Sequence, residues 1–134
     1  MATTTAKLTM TSTDLIDSQD LGITATMTMK QAASANGLNN TTGLARKTLA
    51  TGHAAYDVVL DADYTAAKNH RLYLRCVGTA IAEYIEIKVE GVTLGRLYSG
   101  DWCLLPYSGT ANTDVTADPS ADGMTLEYMF FYED

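Results

Sequence analysis

Two imidazoles, two thiols and a scatter of carboxylates are what this chain offers for acid–base, nucleophilic or metal chemistry. His53 follows Gly52 in a turn, and His70 follows Asn69 where an apolar–polar alternation begins, so both read as exposed capping residues. Ser99, in YSGD, lacks the G-x-S-x-G elbow that lifts a serine nucleophile out of a strand-to-helix turn. GVTLGR lacks the glycine spacing of a phosphate loop. Glu83, Glu86 and Glu90 read as outer-face residues of one strand, not as the paired carboxylates of a glycosidase. Asp14, Asp17 and Asp20 recur without the central glycine and closing Glu of a calcium loop. Asp114, Asp118 and Asp122 are spaced by four around Pro119; calcium bridging is the alternative there to plain surface acidity. Cys76 and Cys103 sit inside LYLRCV and WCLLPY and read as buried reduced thiols, with one bridge between neighbouring strands as the alternative. Two cysteines without a matching His pair make a poor zinc site. The expectation is no enzyme, no catalytic residue, no cofactor and no metal.

Three aromatics remain. Tyr98, Trp102 and Tyr107 fall near strand ends, where rings form a sugar-stacking platform, anchor a protein interface, or fill a core. The core reading of Trp102 carries the most weight of the three.

These residues need a scaffold, and the scaffold is written in period two. Leu21, Ile23, Ala25, Met27 and Met29 share one face against Thr24, Thr26, Thr28 and Lys30. Lys7 to Thr11 gives a shorter strand with Leu8 and Met10 inward. Tyr56, Val58 and Leu60 form another, and Leu72, Leu74 and Cys76 alternate with Arg71, Tyr73 and Arg75. Ile85, Ile87 and Val89 lead into Glu90-Gly91, a two-residue hairpin turn, and Val92 and Leu94 return on the same buried face. Gly95 marks a bulge that turns Leu97 inward. Trp102 to Tyr107 is apolar on both faces, and Leu126, Tyr128 and Phe130 alternate with Glu127, Met129 and Phe131. Residues 32–43 form a polar loop and the best mobile segment; residues 110–122 form a second, with a short strand at Val115. Residues 63–69 suit one helical turn. The sum is an all-β domain over residues 1–134, a β-sandwich or jelly roll of about eight strands, with an N-terminal arm at 1–7. A small closed barrel is the alternative.

Composition bounds the partners. Sixteen acids against nine Lys and Arg give a net charge of −7, which argues against a nucleic-acid backbone as partner. Twenty threonines and the many Tyr and Val residues favour strands. MATTTAKLTMTST lacks the apolar stretch of a secretory signal, and no apolar run approaches a membrane span, so no membrane role is expected.

The stretch HRLYLRCVGTAIAEYIEIKVEGVTLGRLYSGDWCLLPYSG resembles small virion proteins of tailed phages of the marine and cyanobacterial type. The pattern there is an LYL strand, a Y-[IV]-x-[IV] strand, a G-R-L-Y-x-G-[DE]-W hairpin, an [IL]-P-[WY]-S strand end and a closing L-E-Y-M-x-F-Y strand. Here these fall at Leu72–Leu74, Tyr84–Ile87, Gly95–Trp102, Leu105–Ser108 and Leu126–Tyr132, covering roughly the last half of the chain. Cys76 and Cys103 stand outside the pattern. The resemblance implies a head-decoration (cement) protein, with a tail or tail-fibre module that binds carbohydrate next. Its partners would be the major capsid protein and copies of itself, a homotrimer favoured. It would be made in the host cytoplasm and reside in the virion. Candidate interface residues are Tyr98, Trp102, Leu105 and Tyr107, with Lys7 on the arm and Asn39 and Asn40 in the polar loop, both segments expected to order on neighbours.

Overall fold

A computed structural model describes residues 3–16, 19–52, 54–78 and 80–133. Eleven strands run in chain order: β1 Thr4–Ile16, β2 Gln19–Met29, β3 Asn40–Thr41, β4 Ala45–Leu49, β5 Tyr56–Val59, β6 His70–Val77, β7 Tyr84–Val89, β8 Val92–Tyr98, β9 Trp102–Tyr107, β10 Val115–Pro119 and β11 Met124–Tyr132. Among the described residues all pairings are antiparallel and no sheet closes on itself, so the closed-barrel alternative does not form. The helical turn expected at 63–69 lies earlier, as a 3-10 turn at Asp61–Asp63.

The body is a two-sheet sandwich. One sheet has the order β4-β11-β6-β9, with β3 continuing the β4 edge along β11; the other has the order β5-β10-β7-β8. The pairings nest: β6 with β9 and β4 with β11 form in the first sheet, and β7 with β8 and β5 with β10 in the second. Leu49, Leu72, Leu74, Cys76, Leu126 and Phe130 from the first sheet meet Val59, Ile85, Ile87, Leu97, Val115 and Ala117 from the second. Burying these branched and aromatic side chains on alternate positions is what fixes strand register, because a slip of one residue would turn every one of them to water.

The hairpin at Glu90-Gly91 forms as its sequence requires. Both residues take positive φ, +49° and +74°, and Val89 faces Val92 across the turn. The register then slips: Lys88 opposes Thr93 while Ile87 opposes Gly95, so Leu94 is the extra residue of a bulge. Beyond it Leu97 turns into the core, as the sequence indicates. Val92 and Leu94 do not follow Leu97 inward. They are 71% and 57% exposed on β8, which is the edge strand of its sheet.

Residues 4–7, expected as a free arm, are the first rung of something longer. β1 and β2 form a separate two-stranded ribbon from Thr4↔Met29 to Ser12↔Leu21. Cross-strand pairs Ala6–Met27, Leu8–Ala25 and Met10–Ile23 share one face; Thr5–Thr28, Lys7–Thr26 and Thr9–Thr24 share the other. The alternation is that of a half-buried strand. Much of the burial is missing: Met10 and Ile23 are each 42% exposed, Ala6 and Leu8 are half-buried, and Met29, at the base, is covered.

Candidate interaction face

The outer face of the first sheet carries more apolar area than a solvent face needs. Register places Met129, Tyr73 and Leu104 in one row across β11, β6 and β9; Phe131, Arg71 and Pro106 form the row beside it. On the other side the row is Glu127, Arg75 and Trp102. The base of the β1–β2 ribbon stands beside these rows. Ribbon residues Ala6, Leu8, Met10, Met27 and Met29 and sheet residues Tyr73, Trp102, Leu104, Met129 and Phe131 line one open cleft of about 930 Å³. Among the described residues, Lys7 is the one charged side chain in its lining.

Next to the cleft a charged knot sets the sheet face. The Glu127 carboxylate is buried, with Arg46 donating from Nε and Nη2 to Oε2 at 2.8 Å. Tyr73 Oη–H donates to Oε1 at 3.3 Å, and Arg75 Nη1 lies 4.0 Å from the same oxygen. The hydrogen bonds from Arg46 hold the Glu127 carboxyl below its ordinary range. Burial and the neighbouring carboxylate together push the Tyr73 phenol up, so it stays a donor. Tyr73 thereby joins the knot to the cleft wall.

The sequence-derived candidates separate. Trp102, weighted toward the core, is 51% exposed on the outer face of β9, opposite Arg75. Lys7 is exposed on the ribbon and reaches the same cleft. Tyr98 lies on the β8 edge, its ring 5.6 Å from that of Tyr84, over which the Arg96 guanidinium sits at 4.3 Å. Leu105 points inward and borders a smaller apolar pocket of about 270 Å³ with Leu94, Val89 and Tyr107. Tyr107 is buried among Tyr64, His70 and Phe130 and presents no exposed ring. Asn39 is exposed beside the body, and Asn40 pairs with Tyr132 in β3, away from the cleft. Of the seven, Trp102 and Lys7 meet at the cleft, and Leu105 and Tyr107 at the smaller pocket. The residues that sequence reasoning passed over are Met10, Ile23, Met27, Met129 and Phe131. Met129 and Phe131 were visible as apolar side chains on the face opposite Leu126 and Phe130, whereas Met10, Ile23 and Met27 lie on a face that reads as buried.

The other chemistry-bearing groups have structural occupations. His70, expected as an exposed cap, is fully buried, with its ring held by Thr65 and the Glu133 backbone. His53 lies outside the described residues, as do Asp17 and the Asp14 side chain. Cys76 and Cys103 are free thiols whose titration burial pushes up. Asp114, Asp118 and Asp122 do not converge: Asp118 pairs with Lys88, and Asp122 accepts from the Thr51 backbone and hydroxyl. Asp114 instead joins Asp61 and Glu90, with one carboxylate oxygen of each within 4.8 Å of the others. Backbone donors explain that approach: Asp61 N–H binds Asp114, Asp114 N–H binds Glu90, and Asn112 N–H binds Asp61. The polar loop is likewise tied. Leu38 N–H bonds Met29 O, Ala32 N–H bonds the Glu133 carboxylate at 2.7 Å, and Gly37 and Leu38 are buried.

No protein-family profile matches the chain, and neither the curated proteins nor the solved structures contain a match to it.

Proposed function

We propose that this chain is a non-enzymatic structural protein of a virion, a head-decoration protein that bridges neighbouring shell subunits. The observation that carries the reading is the ribbon and its cleft, since a contiguous apolar surface left in water by a small domain marks a place of contact. The phage-type strand pattern names the shell as the surface contacted. The strand order supports a jelly roll: β4-β11-β6-β9 against β5-β10-β7-β8 is what four antiparallel pairs give when rolled as one. That architecture recurs in capsid and lectin domains, and by itself assigns no task. The mechanism is area. Each bound copy adds contacts that exist only between assembled neighbours, so binding stabilises the assembled state by mass action. With a net charge of −7, the attraction to the major capsid protein draws on basic patches there and weakens in salt.

Particles lacking this protein test the reading. Their genomes should be released at a lower temperature on heating, and adding purified protein should restore the release temperature. An unchanged temperature, with the protein found on the tail, overturns it.

One observation favours a second reading. Trp102 presents its ring to solvent beside Tyr73 and Arg75, which a carbohydrate-binding tail module requires. Binding on a panel of bacterial surface glycans that Trp102→Ala abolishes would establish it. A panel without binding removes it.

A further inference from the structure

We infer that Glu133 and His70 form a pH-operated latch that holds the turn after β2, and with it the β1–β2 ribbon, against the sandwich. This concerns how the ribbon is held, so it goes beyond the shell reading and does not depend on what the ribbon touches.

The ribbon needs such a hold. Among the described residues, β1 and β2 pair with each other and with no strand of either body sheet. A tight turn follows β2: Lys30 bridges Gly37, Gln31 N–H donates to Asn36 O, and Leu38 N–H donates to Met29 O. Met29, Gly37 and Leu38 are buried, so the turn is covered. Two body residues fasten it. Glu133 Oε2 accepts Ala32 N–H at 2.7 Å, and the Asn69 side-chain amide donates to Lys30 O. Arg71 fixes that amide by donating from Nη1 to Asn69 Oδ1 and to His70 O.

Glu133 is the hub. Its Oε2 also accepts Asn69 N–H at 3.2 Å, and its Oε1 faces Lys68 Nζ at 3.4 Å. Its own N–H donates to His70 Nδ1 at 3.2 Å. One residue beyond β11 thus joins the start of β6 to the turn after β2. The carboxylate side chain is only 11% exposed, so water replaces these donors poorly.

His70 is where the latch opens. The imidazole is completely buried, and only its neutral form offers Nδ1 as an acceptor. A proton on Nδ1 sets two donors face to face, so the chain at residue 133 moves off and its carboxylate leaves Ala32. The titratable and charged groups around the ring are Lys68 and Arg71 beside it, Tyr64 ahead of β6, Tyr107 on β9 and Glu133. Burial opposes the added charge most, and both cations oppose it as well. The Thr65 carbonyl and the Glu133 carboxylate favour it. Burial prevails, so His70 takes up its proton below the ordinary 6.5. The latch is closed at neutral pH and opens in mild acid.

The test is backbone hydrogen exchange of the full chain from about pH 7.5 to about pH 5, corrected for the intrinsic rate, with the His70 ring followed by NMR. Amides of residues 31–38 should lose about tenfold or more in protection as the ring titrates, while those of β7 and β10 keep theirs. Emission of Trp102, the sole tryptophan and part of the cleft wall beside the ribbon, should move to the red at the same midpoint. Glu133→Ala should show the open state already at neutral pH, with the second sheet unchanged. His70→Gln, which keeps an acceptor and does not titrate in this range, should hold 31–38 protected throughout. Unchanged protection of 31–38 in the wild type overturns the inference, as does a midpoint apart from that of the ring. So does a loss shared equally by β7 and β10, which is global unfolding, or wild-type protection in Glu133→Ala. Opening of 31–38 with Trp102 emission unmoved overturns it too, since other contacts then hold the ribbon.

Discussion

The backbone N–H of Glu133 donates to Nδ1 of His70 at 3.2 Å, and that single bond decides the state of the buried imidazole. With Nδ1 accepting, the proton sits on Nε2, which faces the Thr65 carbonyl at 3.4 Å. Around the ring stand Tyr64, Tyr107 and Phe130, and desolvation among them lowers the His70 pKa from its ordinary 6.5. The Thr65 carbonyl and then the Glu133 carboxylate oppose this shift, while Lys68 and Arg71 add to it.

Stability should therefore fall in mild acid. The unfolded chain takes up a proton at His70 near pH 6.5 and the folded chain only at a lower pH, so between these the unfolded state binds more protons. The contribution is complete above about 6.5 and shrinks as pH drops below it. Urea midpoints measured from about pH 7.5 to about pH 5 should decline for the wild type and flatten in His70→Gln, which keeps an acceptor but cannot titrate in this range. A His70→Gln chain with the wild-type slope would place the titrating group elsewhere.

A second, more acid limb belongs to Glu127 and Glu133. Hydrogen bonds from Arg46 hold the first below its ordinary 4.5, and the Ala32 and Asn69 N–H groups do so for the second. Their stabilisation is present above 4.5 and lost as pH falls through the lower folded values. Glu127→Gln should lower the melting temperature at neutral pH and make the acid decline shallower. Equal acid slopes in variant and wild type would refute the assignment.

Gly91 offers a test free of packing. A Cβ added there meets nothing within 4 Å, yet its φ is +74°. Gly91→Val should cost about 1–3 kcal/mol of unfolding free energy, purely from backbone strain. Gly91→Asn should recover most of it, since asparagine tolerates the left-handed region. Equal losses for the two would mean the turn is held by something other than φ.

The ribbon and the core should respond oppositely to truncation. Leu126, fully buried between the sheets, should lose about 2–5 kcal/mol on change to alanine. Met10→Ala should change the stability of an isolated chain by less than about 0.5 kcal/mol. Denaturation of the dilute monomer separates them.

Period-two alternation made the sandwich legible, because Ile85, Ile87 and Leu126 face a core on one side and water on the other. The turn at Glu90-Gly91 and the bulge at Gly95 were legible too, since each depends on local backbone chemistry. Alternation tells which face is apolar and not whether anything covers it, and the ribbon exposes that gap: Met10 and Ile23 alternate like core residues and meet solvent. Ala45–Leu49 was missed because Arg46 and Lys47 look like loop residues, and the partner that explains Arg46 lies 81 residues away. His70 was misplaced for the same reason, as Tyr107 and Phe130 reach it only through the fold.

The strand order also dictates when the protein can come into being. β4, β3 and β6 all pair with β11, so the first sheet is not finished until β11 has left the ribosome. The β1–β2 ribbon needs only its own neighbouring residues and closes in microseconds, whereas the long-range pairings are expected to take milliseconds to seconds. A nascent chain thus displays its apolar ribbon well before the sheet beside it has formed. Crowding during synthesis would then favour premature ribbon-to-ribbon association, and slower translation or cooler expression should raise the yield of folded material.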